Sequence, residues 1–234
     1  MDAVLLQRLA QITEEERERL QGRGVDRALY ASGRAFEVDA AKMLEKGKLM
    51  SIRPHTRFAP FPRHSHNYVE IMYMCRGKTV HRIDGDALVT LEAGELLFLN
   101  RHASHAIQRA DAGDIAVNFI VLPQFFDEAF NMAGMDNVLS RFLLGELYTG
   151  GAAVSYLHFR VREVLPVQNL VENMVWTLVN RQPGARRINQ VTMGLLLLQL
   201  MHYTECIDMS RNGSIRSPMV EAAHHTGGLR RGRV

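Results

Sequence analysis

Arg63-His64-Ser65-His66-Asn67-Tyr68-Val69-Glu70-Ile71-Met72-Tyr73-Met74-Cys75-Arg76-Gly77 is the stretch on which the fold reading turns. Val69, Ile71 and Tyr73 have the β-branched and aromatic character of a strand, and a glycine stops it, so the stretch reads as one strand running into a turn. Alternate residues of a strand share a face, which puts His64, His66, Tyr68, Glu70, Met72 and Met74 together. The other face, Val69, Ile71, Tyr73 and Cys75, is also apolar, so the strand is expected to be covered on both sides. A hollow on one face and a packed layer on the other fit that pattern.

Two imidazoles one residue apart, with a carboxylate four positions on, can grip a divalent zinc, iron or manganese ion from one strand. A fourth ligand is available in Gly94-Glu95-Leu96-Leu97-Phe98-Leu99-Asn100-Arg101-His102-Ala103-Ser104-His105, an apolar strand running into a histidine-bearing loop. The metal set is then His64, His66, Glu70 and His105. The same four residues also read as a hydrogen-bonded polar network at a pocket mouth. His102 reads as a loop-surface residue, and His55, His81 and His158 as ordinary polar positions.

The chain has 234 residues, 47% of them hydrophobic and 23% charged, an ordinary globular composition. A net charge of +3 is not gathered into a stripe and argues weakly for nucleic acid. An acidic run near residue 15 replaces the apolar core of a signal peptide, and no apolar run approaches the ~20 residues that span a bilayer, so a soluble, cytoplasmic protein is expected. Cys75 and Cys206 imply no disulfide framework.

Outward from the central stretch, residues 1–49 read as a helical extension. Thr13 stands as N-cap before Glu14, Glu15 and Glu16, and the charged residues after it read as a solvated face. Residues 38–46 read as either a short helix or the approach to a first strand. Residues 50–123 show short apolar runs between turn signals. Asp84-Gly85 joins a hairpin of 79–83 and 87–91, and 96–99 and 115–122 are further strands, the last with Ile115, Val117, Phe119 and Val121 on one face. This is the pattern of a small jelly-roll. Residues 124–207 change to helical spacing, with helices over 125–135, 137–148, 167–182 and 187–206. The last is apolar nearly all round, so it must be covered on more than one side, by the domain and by a partner helix or second subunit. From 208 to 234 the chain reads as a linker and the start of something new at 218–223, with His224, His225 and the arginines of 230–233 in an unfolded tail.

The His-x-His, glutamate and glycine of the first stretch and the glycine and histidine of the second resemble the paired motifs of the cupin superfamily. Asn100 stands where that pattern has proline and His102 where it has glycine. A mainly β cupin-type jelly-roll β-sandwich followed by an α-helical dimerisation region and a linker resembles the N-terminal half of AraC-family transcriptional regulators, over roughly residues 50–223. The Pro-x-Phe-Phe exit after 115–122 and the Leu-rich last helix belong to the same likeness. What the resemblance implies is a small-molecule effector bound by His64, His66, Tyr68, Glu70, Met72 and His105. It also implies a homodimer through the helices, with Val191, Leu195, Leu198 and Met201 at the seam, and DNA contacts through a helix-turn-helix half not in this chain. The rival reading is a metal-dependent cupin enzyme, a dioxygenase or isomerase.

Overall fold

The computed structural model describes residues 1–134, 136–149, 151–203 and 207–209. Cys206, residues 212–214 and 218–223, His224, His225 and the arginines of 230–233 lie outside them.

Two sheets form a jelly-roll sandwich. The five-stranded sheet runs in the order β1 (Glu37–Val38), β3 (Phe61–His66), β8 (Ser104–Ile107), β5 (Lys78–Ile83), β6 (Ala87–Glu92). The six-stranded sheet runs β13 (Ile207–Met209), β12 (Tyr156–Phe159), β7 (Leu96–Leu99), β4 (Val69–Arg76), β9 (Ile115–Val121), β2 (Met50–Pro54). Apart from the parallel β1–β3 pair, the registered pairs are antiparallel. The hairpin at Asp84-Gly85 is as expected, with φ of 50° and 95° at its tip.

The single strand expected from Arg63 to Arg76 is two. The chain leaves the first sheet after His66, turns at Asn67 and Tyr68, and enters the second at Val69. The alternation survives the corner because both strands present the same set to the sandwich interior. His64, His66, Tyr68, Glu70, Met72 and Met74 are all buried, and Met72 and Met74 pack with Ile83, Leu91, Leu97 and Leu99 between the sheets.

The opposite face of β4 is covered, as the apolar pattern requires. Ile71, Tyr73, Phe98, Val117, Phe119 and Phe159 meet α6 (Leu165–Val179) and α7 (Ala185–Met201). Fully burying each such side chain stabilises by about 1.5–3 kcal/mol, so this layer outweighs any single polar contact. The turn at Pro183-Gly184 separates the two long helices, with Gly184 at φ 74°.

Several elements differ from the sequence reading. The helix expected over 137–148 is α5 (Val138–Leu143), because Gly145 takes φ 75° and the chain turns back into the small β10 (Tyr148–Thr149) and β11 (Ala152–Ala153) hairpin. The preceding helix is a 3-10 turn, Pro123–Phe126, continued by α4 (Asp127–Ala133). The loop read as ending at His105 runs into the strand β8 (Ser104–Ile107), and the boundary read between helical region and linker at 207 and 208 falls within the strand β13 (Ile207–Met209), paired with β12. The segment left open at 38–46 supplies both alternatives, β1 and α3 (Ala40–Met43).

In the N-terminal extension, α1 (Ala3–Leu9) is capped by Asp2, and α2 (Glu14–Leu20) carries a full capping box between Thr13 and Glu16. The solvated-face reading of α2 fails at two positions. Glu16 and Arg19 are buried, and Glu16 receives two side-chain hydrogen bonds from Arg57, at 2.6 and 2.9 Å.

Candidate functional site

The interior end of the sandwich collects polar side chains from six segments. His64 and His66 come from β3, Glu70 from β4, His81 from β5, His105 from β8, Asn118 from β9, and His55 from the residue after β2. The His105 ring lies 4.2 Å from that of His64, 5.9 Å from His66 and 6.0 Å from His81, while His81 lies 6.1 Å from His55. His55 and His81, read as ordinary polar positions, therefore belong to this cluster. Thr79, His81 and Ile83 alternate buried along β5, so the period-2 signal that pointed His81 inward was present in the sequence. His158 is set apart by its contact to Glu95 at 2.9 Å. His102 is exposed, as expected.

Burial governs the titration of the cluster. It pushes His55, His64 and His66 down to about 4 and His81 and His105 well below the ordinary imidazole range, so these rings are neutral at pH 7. It pushes Glu70 up to about 7, partly offset by the amide of Asn118, which donates to Oε1 at 3.0 Å, and by the charge of Arg53.

Neutral imidazoles with assigned partners leave particular lone pairs bare. His66 Nδ1 sits 2.7 Å from the Tyr68 carbonyl, which can only accept, so Nδ1 carries the proton and Nε2 a free lone pair. His66 Nε2, Glu70 Oε2 and both ring nitrogens of His105 are buried without a hydrogen-bond partner among the described residues. The ligand atoms of His66, Glu70 and His105 lie within 4.8 Å of one another. A carbonyl fixing the far nitrogen of an imidazole is the usual support of a metal-bound histidine, so this donor set fits a divalent ion. His64 is the member of the expected four that stays outside the set. Its Nδ1 meets the Pro62 carbonyl at 2.9 Å and its ring packs on Phe61.

Beside the cluster is a hollow of about 50 Å³, lined by His55, His64, Tyr68, Glu70 and Asn118 and covered by Tyr30, Val38 and Met43 from the N-terminal extension. Of the six effector residues expected, His64, Tyr68 and Glu70 line it. His66 and His105 lie in the cluster behind it, and Met72 is sealed in the inter-sheet core. Asn100, at the position where the sequence departs from the second motif, is buried and ties the loop before His105 to the helical layer. Its amide donates to the carbonyls of Phe142 and Val154, and its oxygen accepts from the His102 amide.

Residues 51–130 match the family described as the AraC-like ligand binding domain. Of solved structures, apo ToxT from Vibrio cholerae aligns with a TM-score of 0.51 at 11% identity, covering 72% of this chain and 62% of its own. The chain thus spans about three fifths of the length of that relative. ToxT with a bound unsaturated fatty acid aligns with a TM-score of 0.42 at 11% identity, over 66% of this chain and 55% of that one. A cupin protein from Bacteroides fragilis gives 0.27 at 28% identity, over 31% and 64%. No curated protein matches the sequence. Among the described residues no helix is long and apolar enough to cross a membrane.

Beyond the matched residues, the two sides of α7 differ. Met193, Leu196, Leu197 and Leu200 of α7 are buried against the sandwich layer. Val191 and Leu195 are 38% and 43% exposed, and Leu198 and Met201 are half-buried.

Proposed function

We propose that this chain is the ligand-sensing and dimerising part of an AraC-family transcriptional regulator, acting in the cytoplasm. In this reading a small-molecule effector binds at His64, Tyr68 and Glu70, with His66 and His105 behind them and Met72 in the core beneath, and controls DNA binding by a helix-turn-helix region outside these 234 residues. The role is regulatory, not catalytic. The observation that carries it is the buried, hydrogen-bond-deficient cluster at the closed end of a hollow in an AraC-like ligand binding domain. Metabolite-sized ligands need about 300 Å³ or more, so the effector enters when the cover of Tyr30, Val38 and Met43 lifts.

The test is a thermal-shift screen of small metabolites on the whole chain, followed by hydrogen exchange on the hits. A true effector raises the melting temperature, alters exchange over residues 25–44, and loses its effect in Tyr68→Ala. A hit indifferent to that substitution, or no hit at all, removes the reading. The homodimer is proposed through Val191, Leu195, Leu198 and Met201, the apolar side of α7 left unburied by the sandwich. Light scattering should give a dimer at micromolar concentration and a monomer for Leu195→Glu, and a monomeric wild type would remove that interface.

The bare lone pairs of His66, Glu70 and His105 favour a second reading, a metal-dependent cupin enzyme of the dioxygenase or isomerase kind. Those residues would hold zinc, iron or manganese, which would supply a Lewis acid or activate oxygen. Elemental analysis of protein prepared without chelator decides it. About one equivalent that falls in His66→Ala supports the enzyme, and a trace unaffected by the substitution eliminates it.

A further inference from the structure

A larger concavity lies outside the sandwich, and none of the effector, metal or dimerisation residues expected from the sequence falls in it. It measures about 900 Å³, within the range of small-molecule sites. The edge strand β2 forms its floor, and its walls are the end of α1, the last turn of α6 and the first turns of α7.

Its chemistry is two-sided. Leu9, Leu49, Met50, Ile52, Phe125 and Leu178 give it an apolar bed. Six cationic side chains line it, Arg8, Lys42, Lys48, Arg53, Arg181 and Arg186, against the carboxylates of Glu15 and Glu45. Arg53 is held by Glu15 at 3.4 Å, Arg8 by Asn180 and the Val179 carbonyl, and Lys42 by the Ala28 carbonyl. Among the described residues, Lys48, Arg181 and Arg186 have no side-chain hydrogen bond or ion pair.

The 17-residue helix α7 also begins here. Its N-cap is Gly184, which has no side chain to cap with, and its first turn has no acidic residue. Such an end favours an anion. A buried polar side chain lies beside it. Asn189, one turn into α7, is 1% exposed and lines the groove. One end of its side-chain amide meets the Thr177 hydroxyl at 2.6 Å, a hydroxyl that also reaches the Met174 carbonyl at 2.9 Å, and the other end has no hydrogen-bond partner among the described residues.

We propose that this groove is a second ligand site, distinct from the sandwich hollow, for a small amphipathic anion. Its apolar body lies on Leu9, Met50, Ile52 and Leu178, and its carboxylate or phosphate head lies between Arg181, Arg186 and the start of α7. Such a ligand touches the N-terminal extension and both long helices at once.

Calorimetric titration of the whole chain with decanoate and with decyl phosphate tests this and separates the two head groups, with decanol and inorganic phosphate as controls. The expected result is saturable, one-per-chain micromolar binding of at least one of the two anions. Decanol and inorganic phosphate should each be weaker by about tenfold or more, and Arg181→Gln/Arg186→Gln should weaken the anion by a similar factor. Both arginines are exposed and unpaired, so that variant should melt with the wild type. Should it not, Lys48→Gln is read instead, with a loss of about threefold expected and no loss counting against the site. The site is overturned if neither anion binds below millimolar concentration or if decanol or inorganic phosphate binds as tightly. It is likewise overturned if binding ignores the arginine substitutions, which would place the ligand elsewhere, the sandwich hollow included.

Discussion

Glu16 is the residue whose role is most unlike its sequence appearance. In an acidic run at a helix start it serves as the capping-box partner of Thr13, and the sequence pattern supports that much. Its other job depends on Arg57, 41 residues later, and no local pattern reports such a pairing. The Arg57 guanidinium makes a two-pronged contact to Glu16 and spends its remaining donors on the carbonyls of Ala10 and Ala112, so the pair is both buried and satisfied. Burial alone would raise the Glu16 carboxyl, but hydrogen bonds from Arg57 and the Thr13 amide hold it below the ordinary value. Removing one partner strands the other charge, at a cost of about 3–5 kcal/mol, whereas replacing both with apolar side chains of similar volume costs far less. Urea unfolding of Glu16→Ala, Arg57→Ala and Glu16→Leu/Arg57→Met is expected to rank the double variant above either single one. Equal losses for single and double variants would mean that the pair is solvated in solution. The histidine cluster was half legible for the same reason. His64, His66 and Glu70 are neighbours along the chain and His105 lies in a recognisable second motif, but His55 joins them only through the folding of one sheet over the other.

At the level of elements, periodicity placed the strands and long helices well and located the corners poorly. The alternation from His64 to Met74 is unbroken, and nothing in it marks the crossing from one sheet to the other at Asn67-Tyr68. Glycine was the better guide to turns. Gly77, which ends β4, has φ +79°, and a Cβ there would sit 3.0 Å from the Asp114 Cα and closer still to its carboxylate. That carboxylate accepts the Lys78 amide and so binds the β4–β5 turn to the loop before β9. Gly94, at the start of the second motif, has φ +85° and would meet the Arg162 backbone at 2.9 Å. Both conformations and both spaces exclude a side chain. Gly77→Ala and Gly94→Ala are expected to cost about 2 kcal/mol or more in thermal or urea unfolding. Gly113→Ala, where a Cβ meets nothing within 4 Å, should stay within about 0.5 kcal/mol. A loss at Gly113 as large as at Gly77 would show that the turn's geometry is not what the glycine protects.

For the whole molecule, the cost of burying so many imidazoles appears as a pH dependence of stability. His55 is the clearest case, lying away from the His66, Glu70 and His105 set. Burial drives it down to about 4, against the Asn118 side chain and the charges of Glu16 and Asp114, which favour its charged form, while Arg57 opposes that form and the ring of His81 lies alongside. An unfolded chain takes up a proton on that ring near pH 6.5, and the folded chain refuses it until about pH 4. Stability attributable to His55 is therefore complete above pH 6.5 and is lost as the pH falls through this window, by up to about 3 kcal/mol. His64 and His66 act in the same direction. Glu70 acts against them. Its folded value of about 7 lies above its unfolded one, so its contribution is present at low pH and fades as the pH rises through neutrality. Below the ordinary carboxylate range, protonation of Glu16 removes a further contribution. The net expectation is a fall in unfolding free energy between pH 6.5 and 4, measured by urea titration at fixed ionic strength. His55→Leu should flatten that fall by roughly the His55 share. An unchanged slope in the variant would mean that His55 is already protonated in the folded protein, and hence that water reaches the closed end of the sandwich.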